Sequence, residues 1–254
     1  KKHTVAFLDI LGFKNKLDNN LSELATKYES AIIQSEYFNK NLLDLKNVPK
    51  LFPQQSKGIP YCQRFIFSDS IILVSHDSSE VSCSMLLIYC WRLMQWMLAV
   101  NLPVRGAISY GDMYINSAEN VFLGVALTEA ASMEKEQNWI GVSLCPSIQE
   151  HFPNLISSFY PLLLEYDVPL KQNRLVRLPT LNWRFNLVVQ KGTKALFSDS
   201  DELDVKLKNR NSLEYAERFV KTKQTYLNGD EVPVEIRTMY IGDIDPPFPH
   251  GDEY

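Results

Sequence analysis

Two short apolar segments, each with a single aspartate, constrain this chain more than any other feature of its sequence. They are VAFLDILGF, which contains Asp9, and QRFIFSDSIILVS, which contains Asp69. Both are rich in the β-branched and aromatic residues typical of strands. A carboxylate in a buried strand is costly unless its charge is compensated. Because neither aspartate has a basic neighbour at strand spacing, we expect a bound cation to be their partner.

The composition predicts one folded domain and argues against two classes of partner. A chain of 254 residues that is 45% hydrophobic can bury a large core as a single domain of alternating helices and strands. The net charge of −4 and the pI of about 5.7 argue against a nucleic-acid or anionic membrane surface. The longest apolar runs are strand-length and interrupted by polar residues, so we expect no membrane-spanning helix.

The cysteines and the first residues predict a cytoplasmic location. The four cysteines, which form no CxxC pair, are Cys62, Cys83, Cys90 and Cys145. Their apolar surroundings are typical of reduced core cysteines. The basic start KKHT leads directly into a strand that contains an acid, which is not the pattern of a signal peptide.

Hydrophobic periodicity predicts the element order β-α-β-β-α-β-β-α-β, an α/β sandwich with a mostly antiparallel sheet. The predicted elements are a strand at 3–11, a helix at 14–45, a loop at 49–60, strands at 61–67 and 70–75, a helix at 80–101, a strand at 104–110 that turns at Gly111-Asp112 into a short hairpin, a helix at 124–137, a strand at 139–145 and a short helix from Pro146. Beyond Pro153 the pattern predicts only a strand at RFNLVV, a charged, exposed helix at 201–226 and a frayed tail.

An ordered series of motifs then resembles a known family. The series VAFLDILGF, FSDSIILVS, VRGAISYGD, FLGVALTEAASMEKEQ and WIGVSL resembles the catalytic domain of class III nucleotidyl cyclases. More narrowly, LDILGF, FSDSI, RGAI and the G-x-A-x₃-A-x₃-E run resemble the bacterial pyrimidine cyclases of Pycsar antiphage systems. The resemblance covers residues 4–145. It implies a ferredoxin-like class III cyclase fold in one catalytic domain, 1–254, with family-specific strands, helix and tail over 155–254.

The resemblance also implies a metal site with Mg²⁺ or Mn²⁺, two ions per site. Asp9 and Asp69 match the two metal-binding aspartates of the family, and the backbone carbonyl of Ile10 would be a further ligand. The turn that would offer its amides to the triphosphate, at the start of the first helix, consists of Leu11, Gly12 and Phe13. The alternative is that Asp9 is an ordinary helix N-cap and Asp69 an ordinary turn residue.

The positions that would contact the base favour a pyrimidine. Adenylyl cyclases read adenine with a lysine four residues before the second aspartate and with an aspartate seven residues before a helix asparagine. The matching residues in this chain are Phe65 and Val121, which cannot select adenine by hydrogen bonds. A smaller base stacked on Phe65 is easier to accommodate, which favours UTP, with CTP next. The alternative is that Phe65 packs in the core while other groups read a purine.

Two further family positions differ in this chain. The ribose-orienting asparagine and the transition-state arginine align with Thr128 and Ser132, one helical turn apart. Thr128 can hydrogen-bond a ribose or base, whereas Ser132 supplies no positive charge, so another cation is needed. Arg105 is the candidate within the motifs, unless it pairs with a carboxylate such as Glu134. Weaker candidates are Arg64, Arg184 and Lys191.

The resulting hypothesis is a pyrimidine nucleotide cyclase that converts UTP to 3′,5′-cyclic UMP and pyrophosphate, as a second-messenger synthase in antiphage defence. Because class III sites lie between two domains, the resemblance implies a homodimer with two composite sites, and a separate effector that responds to the product. The alternatives are a cytidylate cyclase, an ATP cyclase with unconventional base contacts, and a catalytically silent cyclase-fold module that binds a nucleotide.

Overall fold

The structure is a computed structural model that describes residues 1–44, 62–119, 121–159, 162–183 and 205–216. It contains eight strands and seven α-helices within these ranges. In chain order they are β1 (Lys2–Ile10), α1 (Phe13–Asn19), α2 (Leu21–Asp44), β2 (Gln63–Phe67), β3 (Ser70–Val74), α3 (Glu80–Ala99), β4 (Val104–Asn116), β5 (Val121–Gly124), α4 (Val125–Glu136), β6 (Gly141–Leu144), α5 (Pro146–His151), α6 (Leu155–Ser158), β7 (Leu163–Pro169), β8 (Leu175–Leu181) and α7 (205–216).

The strands form one mixed sheet in the order β2-β3-β1-β4-β6-β8-β7, and β5 pairs with β4 beside this path. Among the described strands, only the pairing of β4 with β6 is parallel, and α4 lies in the connection between them. Every other pairing is antiparallel. The predicted α/β fold, with a mostly antiparallel central sheet and flanking helices, is confirmed.

One face of the sheet carries the main core. Successive strand residues point to opposite faces, so Ala6, Leu8 and Ile10 of β1 enter the same core as α3. By length and composition α3 could cross a membrane, a feature that the sequence interpretation missed. However, 89% of its apolar window is buried inside the fold, as in the central helix of a folded domain. The four cysteines are free, as predicted.

The other face of the sheet is covered by α4 over only part of its width. A second, smaller cluster forms there around Val5, Val74, Met113 and Ala126. The same face continues beyond α4 onto β3 and β2, where the side chains are only half-buried. An open, apolar part of the sheet therefore remains on this side of the molecule.

Two predicted boundaries are wrong, each for a local reason. The helix predicted at 14–45 is broken at Asn20, whose extended backbone ends α1 and whose Oδ1 accepts the Glu23 N–H at 3.1 Å to cap α2. The turn predicted at Gly111-Asp112 does not form, because β4 runs straight through to Asn116 and pairs with β5. A Cβ added at Gly111 would make only an ordinary contact, 3.5 Å from the Ala126 nitrogen, so α4 packs beside the strand at this position.

The carboxyl-terminal part of the described chain is integrated into the fold. The sequence patterns did not predict β7 and β8, and α7 was expected to be an exposed helix. Instead, Ser212 and Tyr215 are fully buried on one side of α7. The Tyr215 ring packs edge-on against Trp139 with centroids 4.7 Å apart, and its hydroxyl donates to the Leu181 carbonyl at 3.0 Å. The strand predicted at RFNLVV lies outside the described residues.

Candidate active site

Asp9 lies near the carboxyl end of β1, directly opposite Ser70 of β3 and Arg105 of β4. Strand alternation places its side chain on the face that α4 partly covers. Because Asp9 belongs to a strand, it is not a helix N-cap, and that alternative is wrong. The N-cap position of α1 is occupied by Gly12.

Asp69 lies in the two-residue turn that joins β2 to β3. Ser68, its partner in this turn, has a φ of 54°, the positive φ that two-residue hairpin turns require. The carbonyl oxygen of Asp69 accepts the Ile10 N–H at 3.0 Å, which fixes the turn against the end of β1. The strands predicted at 61–67 and 70–75 are confirmed and form a hairpin with Asp69 in its turn, which brings both aspartates to one edge of the sheet.

The electrostatics of this edge are dominated by acids. The pKa of the Asp9 carboxyl is raised from its ordinary 3.8 to about 6, first by burial and then by the negative charges of Glu134 and Asp69. The positive charges of Arg105 and Lys208 act in the opposite direction but do not cancel the rise. A bound cation would relieve this excess of negative charge. Strongly shifted carboxyl groups of this kind are typical of functional sites.

The two aspartates fit a divalent ion that is shared with a substrate. No group of three His, Cys, Asp or Glu side chains in the described ranges could hold a metal ion by itself. Mg²⁺ characteristically takes one or two carboxylates and completes its shell with water and substrate phosphates. An all-oxygen set from Asp9 and Asp69 matches this chemistry, and Mn²⁺ accepts the same ligands. Coordination by the Ile10 carbonyl stays a prediction.

Arg105 is engaged by a carboxylate within the protein. Its Nε donates to Glu134 Oε1 at 2.7 Å, its Nη2 lies 2.5 Å from the same oxygen, and its Nη1 donates to the Gln137 carbonyl at 3.1 Å. The side chains of Arg105 and Glu134 are only 12% and 4% exposed. This buried pair joins β4 to the end of α4. The structure therefore supports the structural role that the sequence analysis left open for Arg105.

The predicted phosphate-binding turn is formed, but one of its three amides is already in use. Gly12 has a φ of 70°, and α1 begins directly after it at Phe13. The space beside Gly12 is open, since a Cβ placed there would meet no heavy atom within 4 Å. The Leu11 N–H donates to the Pro103 carbonyl at 2.8 Å, which leaves Gly12 and Phe13 for the predicted contact.

Of the two positions predicted to contact the base, Phe65 packs against Phe122, the chain neighbour of Val121, and not against Val121 itself. Phe65 is half-buried on β2, and its ring lies 4.2 Å, centroid to centroid, from Phe122 of β5. Val121, the first residue of β5, is 36% exposed. Through the strand register, Phe65 shares a face with Phe7 and thus with Asp9. Phe122 was not predicted, because only the folding of β5 onto the sheet places it there.

Thr128 and Ser132 do not face Asp9 within one chain. Both are exposed on α4, whose buried side carries Ala126, Ala130 and Glu134. The Thr128 hydroxyl donates to the Gly124 carbonyl of its own helix at 3.1 Å. Thr128 and Ser132 can therefore contribute to an Asp9 site only if that site belongs to a second copy of the chain.

The weaker cation candidates do not reach the site within the described residues. Arg64 forms an ion pair with Glu36 and donates to the Tyr89 hydroxyl at 2.8 Å, on the α2 and α3 side of the sheet. Arg184 and Lys191 lie outside the described residues. Within the described residues, the positive charge of Lys208 acts on Asp9 as that of Arg105 does, and no motif indicated this lysine.

Tyr28 is a second residue that the sequence analysis missed. Burial raises the pKa of its hydroxyl, and the charges of Asp69 and Asp9 raise it further, so the phenol stays protonated beside the two acids. The hydroxyl oxygen is buried, and the described residues offer it no hydrogen-bond partner. Its ring packs edge-on against Phe13 at 6.3 Å. No spacing along the chain links these positions.

Comparisons with known proteins find similarity only among solved structures. No protein-family model matches the sequence, and no curated protein matches it. The dimeric guanylyl cyclase domain of a RhoGC fusion protein from Blastocladiella emersonii aligns with a TM-score of 0.48 at 10% identity, covering 72% of this chain and 96% of that one. An adenylate cyclase from Trypanosoma brucei gives 0.41 at 11% identity, over 72% and 90%. A bacterial light-regulated adenylyl cyclase gives 0.44 at 9% identity, over 83% and 57%.

Proposed function

We propose that the protein is a nucleotidyl cyclase that converts a nucleoside triphosphate to a 3′,5′-cyclic nucleotide and pyrophosphate. The observation that carries this proposal is the meeting of Asp9 and Asp69 at one sheet edge, where burial and neighbouring acids raise the pKa of Asp9 to about 6. Negative charges that lie close together at a partly buried site are unfavourable while no cation is bound. It becomes favourable when the ligand arrives with divalent cations, as nucleoside triphosphates do.

Each residue of the site has a role in this reaction. Asp9 and Asp69 would hold Mg²⁺ or Mn²⁺, which supplies positive charge to the phosphate oxygens and acidifies the attacking hydroxyl. The amides of Gly12 and Phe13 would orient the triphosphate at the start of α1. The ribose 3′-hydroxyl then attacks the α-phosphorus, and the bond to the bridging oxygen of pyrophosphate breaks. Holding these groups in line accounts for much of the catalysis of phosphoryl transfer.

The open part of the sheet supports a pyrimidine substrate, with UTP preferred and CTP next. Phe7, Phe65, Ile72 and Phe122 make this surface apolar beside Asp9. Such a surface can stack a base, but it lacks the lysine and the aspartate that read adenine in purine-specific cyclases. UTP differs from CTP at one ring edge, and the four-nucleotide assay described below separates the two.

A homodimer is the assembly that would bring α4 to a metal site. The outer side of α4 exposes Thr128 and Ser132, and the adjoining residues Leu123 and Val125 are 62% and 68% exposed. Apolar side chains exposed beside polar ones are typical of protein interfaces. In a twofold dimer each chain would lend Thr128 to the Asp9 site of its partner. The product would act on a separate effector in the cytoplasm, as part of antiphage defence.

One observation favours a second candidate, a silent module that binds a nucleotide without converting it. Arg105 is bound to Glu134, and Ser132 carries no charge, so neither supplies the free arginine that the reaction uses in cyclases. Under this hypothesis the site still binds a metal-nucleotide complex through Asp9 and Asp69. Such a module would bind the same ligands as a cyclase but would form no cyclic nucleotide.

The decisive test is to incubate the purified protein with each of the four nucleoside triphosphates and Mn²⁺ and to identify the products by chromatography. We expect cyclic UMP as the main product, none from Asp9→Asn or Asp69→Asn, and wild-type yield from Asp18→Asn, an exposed control on α1. A cyclic purine as the main product would end the pyrimidine assignment. No product at any pH or metal, together with Mn²⁺-dependent binding of a non-hydrolysable UTP analogue, would establish the silent module.

A further inference from the structure

The helix α7, which lies outside every motif, is held firmly beside the start of β6. Two buried hydrogen bonds attach it to the segment that precedes β6. Asn211 Nδ2 donates to the Asn138 carbonyl at 2.7 Å, and the Ile140 N–H donates to Ser212 Oγ at 2.8 Å. The packing of Tyr215 on Trp139 holds the other end of the helix. The position of α7 is therefore defined by several independent contacts.

The strand register shows how near this attachment lies to Asp9. Gly141, the first residue of β6, is paired with Arg105 of β4, and Arg105 is paired with Asp9 of β1. Neighbouring strands lie about 4.8 Å apart, so Asp9 and Gly141 are separated by roughly 10 Å across the sheet. The residues that hold α7 end directly at Gly141. The part of α7 that makes these contacts therefore lies near the Asp9 end of the sheet.

Lys208 is a residue of α7 whose positive charge acts on Asp9. It precedes Asn211 and Ser212 by three and four residues, which puts it on the same side of the helix, one turn earlier. Ser212 Oγ donates to the Lys208 carbonyl at 2.7 Å, consistent with this stacking. The Lys208 side chain is half-buried, and its positive charge lowers the pKa of Asp9. The position of α7 and this charge effect both place Lys208 on the side of the helix near the Asp9 site.

We propose that Lys208 is a phosphate-binding residue whose ammonium group contacts the triphosphate chain beside Asp9 and Asp69. A lysine ammonium is a compact charge with three donors, well suited to phosphate oxygens. In this position it supplies the positive charge that Ser132 cannot, and it stabilises the charge that develops on the departing pyrophosphate. The inference rests on the proposed function for its substrate, and it makes α7 part of the site.

The test measures binding of tripolyphosphate with Mn²⁺ by calorimetry, which does not depend on turnover. We compare Lys208→Met with Arg210→Met, which removes the same charge from the same helix at an exposed ion pair with Glu214. Loss of a charged hydrogen bond predicts a dissociation constant about 10- to 100-fold higher for Lys208→Met. Arg210→Met should stay within about twofold of wild type, and Lys208→Arg should recover most of the affinity. Thermal unfolding of each variant checks the fold, and Lys208→Gln replaces Lys208→Met if the latter is unfolded.

The outcomes separate this inference from the proposed function. Equal affinity of wild type and Lys208→Met for tripolyphosphate, or no binding by wild type, would overturn the inference. If Lys208→Met also forms cyclic nucleotide with wild-type kcat/KM, the cyclase proposal stands without it. If no variant forms a cyclic nucleotide but binding still depends on Lys208, the inference holds and the cyclase proposal fails.

Discussion

Replacing Asp9 by asparagine should stabilise the metal-free protein while abolishing its function. The pKa of Asp9 rises from 3.8 to about 6 on folding, because burial and the charges of Glu134 and Asp69 disfavour the ionised form. One pKa unit corresponds to about 1.4 kcal/mol, so the full shift is worth about 3 kcal/mol. Since the half-buried carboxylate is partly screened by water, we expect Asp9→Asn to gain about 1–2 kcal/mol at pH 8.

The sign of the pH dependence distinguishes this effect from a general stabilisation. The folded state holds the Asp9 proton more tightly than the unfolded state, so wild-type stability falls as the pH rises from 3.8 through 6. The advantage of Asp9→Asn should therefore be full above pH 6 and almost absent near pH 3.8. Urea denaturation in chelator at several pH values measures it, with Asp18→Asn as the control. An advantage that is independent of pH, or a loss of stability at pH 8, would refute the reasoning.

Three further substitutions test other parts of the structure. Arg105→Met should lower the free energy of unfolding, measured by urea denaturation, by about 3–5 kcal/mol because it leaves the Glu134 carboxylate buried and unpaired. Adding Glu134→Leu should recover most of that loss. If it recovers nothing, Arg105 and Glu134 are not a structural pair. Gly12→Ala should lower the free energy of unfolding by about 1 kcal/mol, because the φ of Gly12 is 70°. It should also weaken the binding of Mn²⁺-tripolyphosphate in calorimetry. Unchanged affinity would show that this turn does not bind phosphate. Tyr215→Phe should lower stability by about 1 kcal/mol through loss of the bond to the Leu181 carbonyl, and an unchanged urea midpoint would contradict that contact.

Features encoded by neighbouring residues could be predicted from the sequence. The apolar alternation of β2 and β3 around Ser68-Asp69 specifies a hairpin whose turn contains the acid, and the structure has that hairpin. The strand of Asp9 and the glycine that ends it follow from the same kind of local pattern. Because two strands paired in register bring their ends together, the meeting of Asp9 with Asp69 was also within reach of sequence reasoning.

Features set by distant contacts could not be predicted in this way. Gly111 has the composition of a turn, yet it lies inside β4, because this strand continues to Asn116 and pairs there with β5. The charges of α7 suggested exposure, because its buried side is defined by residues far away in the chain, among them Trp139 and Asn138. The same contacts set the position of Lys208. Its sequence neighbours therefore carry no sign of its role.

The central claim is that the carboxylates of Asp9 and Asp69 share divalent cations with a bound nucleotide. Titration of Mn²⁺ by calorimetry, with a non-hydrolysable UTP analogue present, tests it most directly. We expect tight, analogue-dependent Mn²⁺ binding by wild type and by Asp18→Asn, and its loss in both Asp9→Asn and Asp69→Asn. Mn²⁺ binding that survives both substitutions, or that is absent from wild type, would contradict the claim.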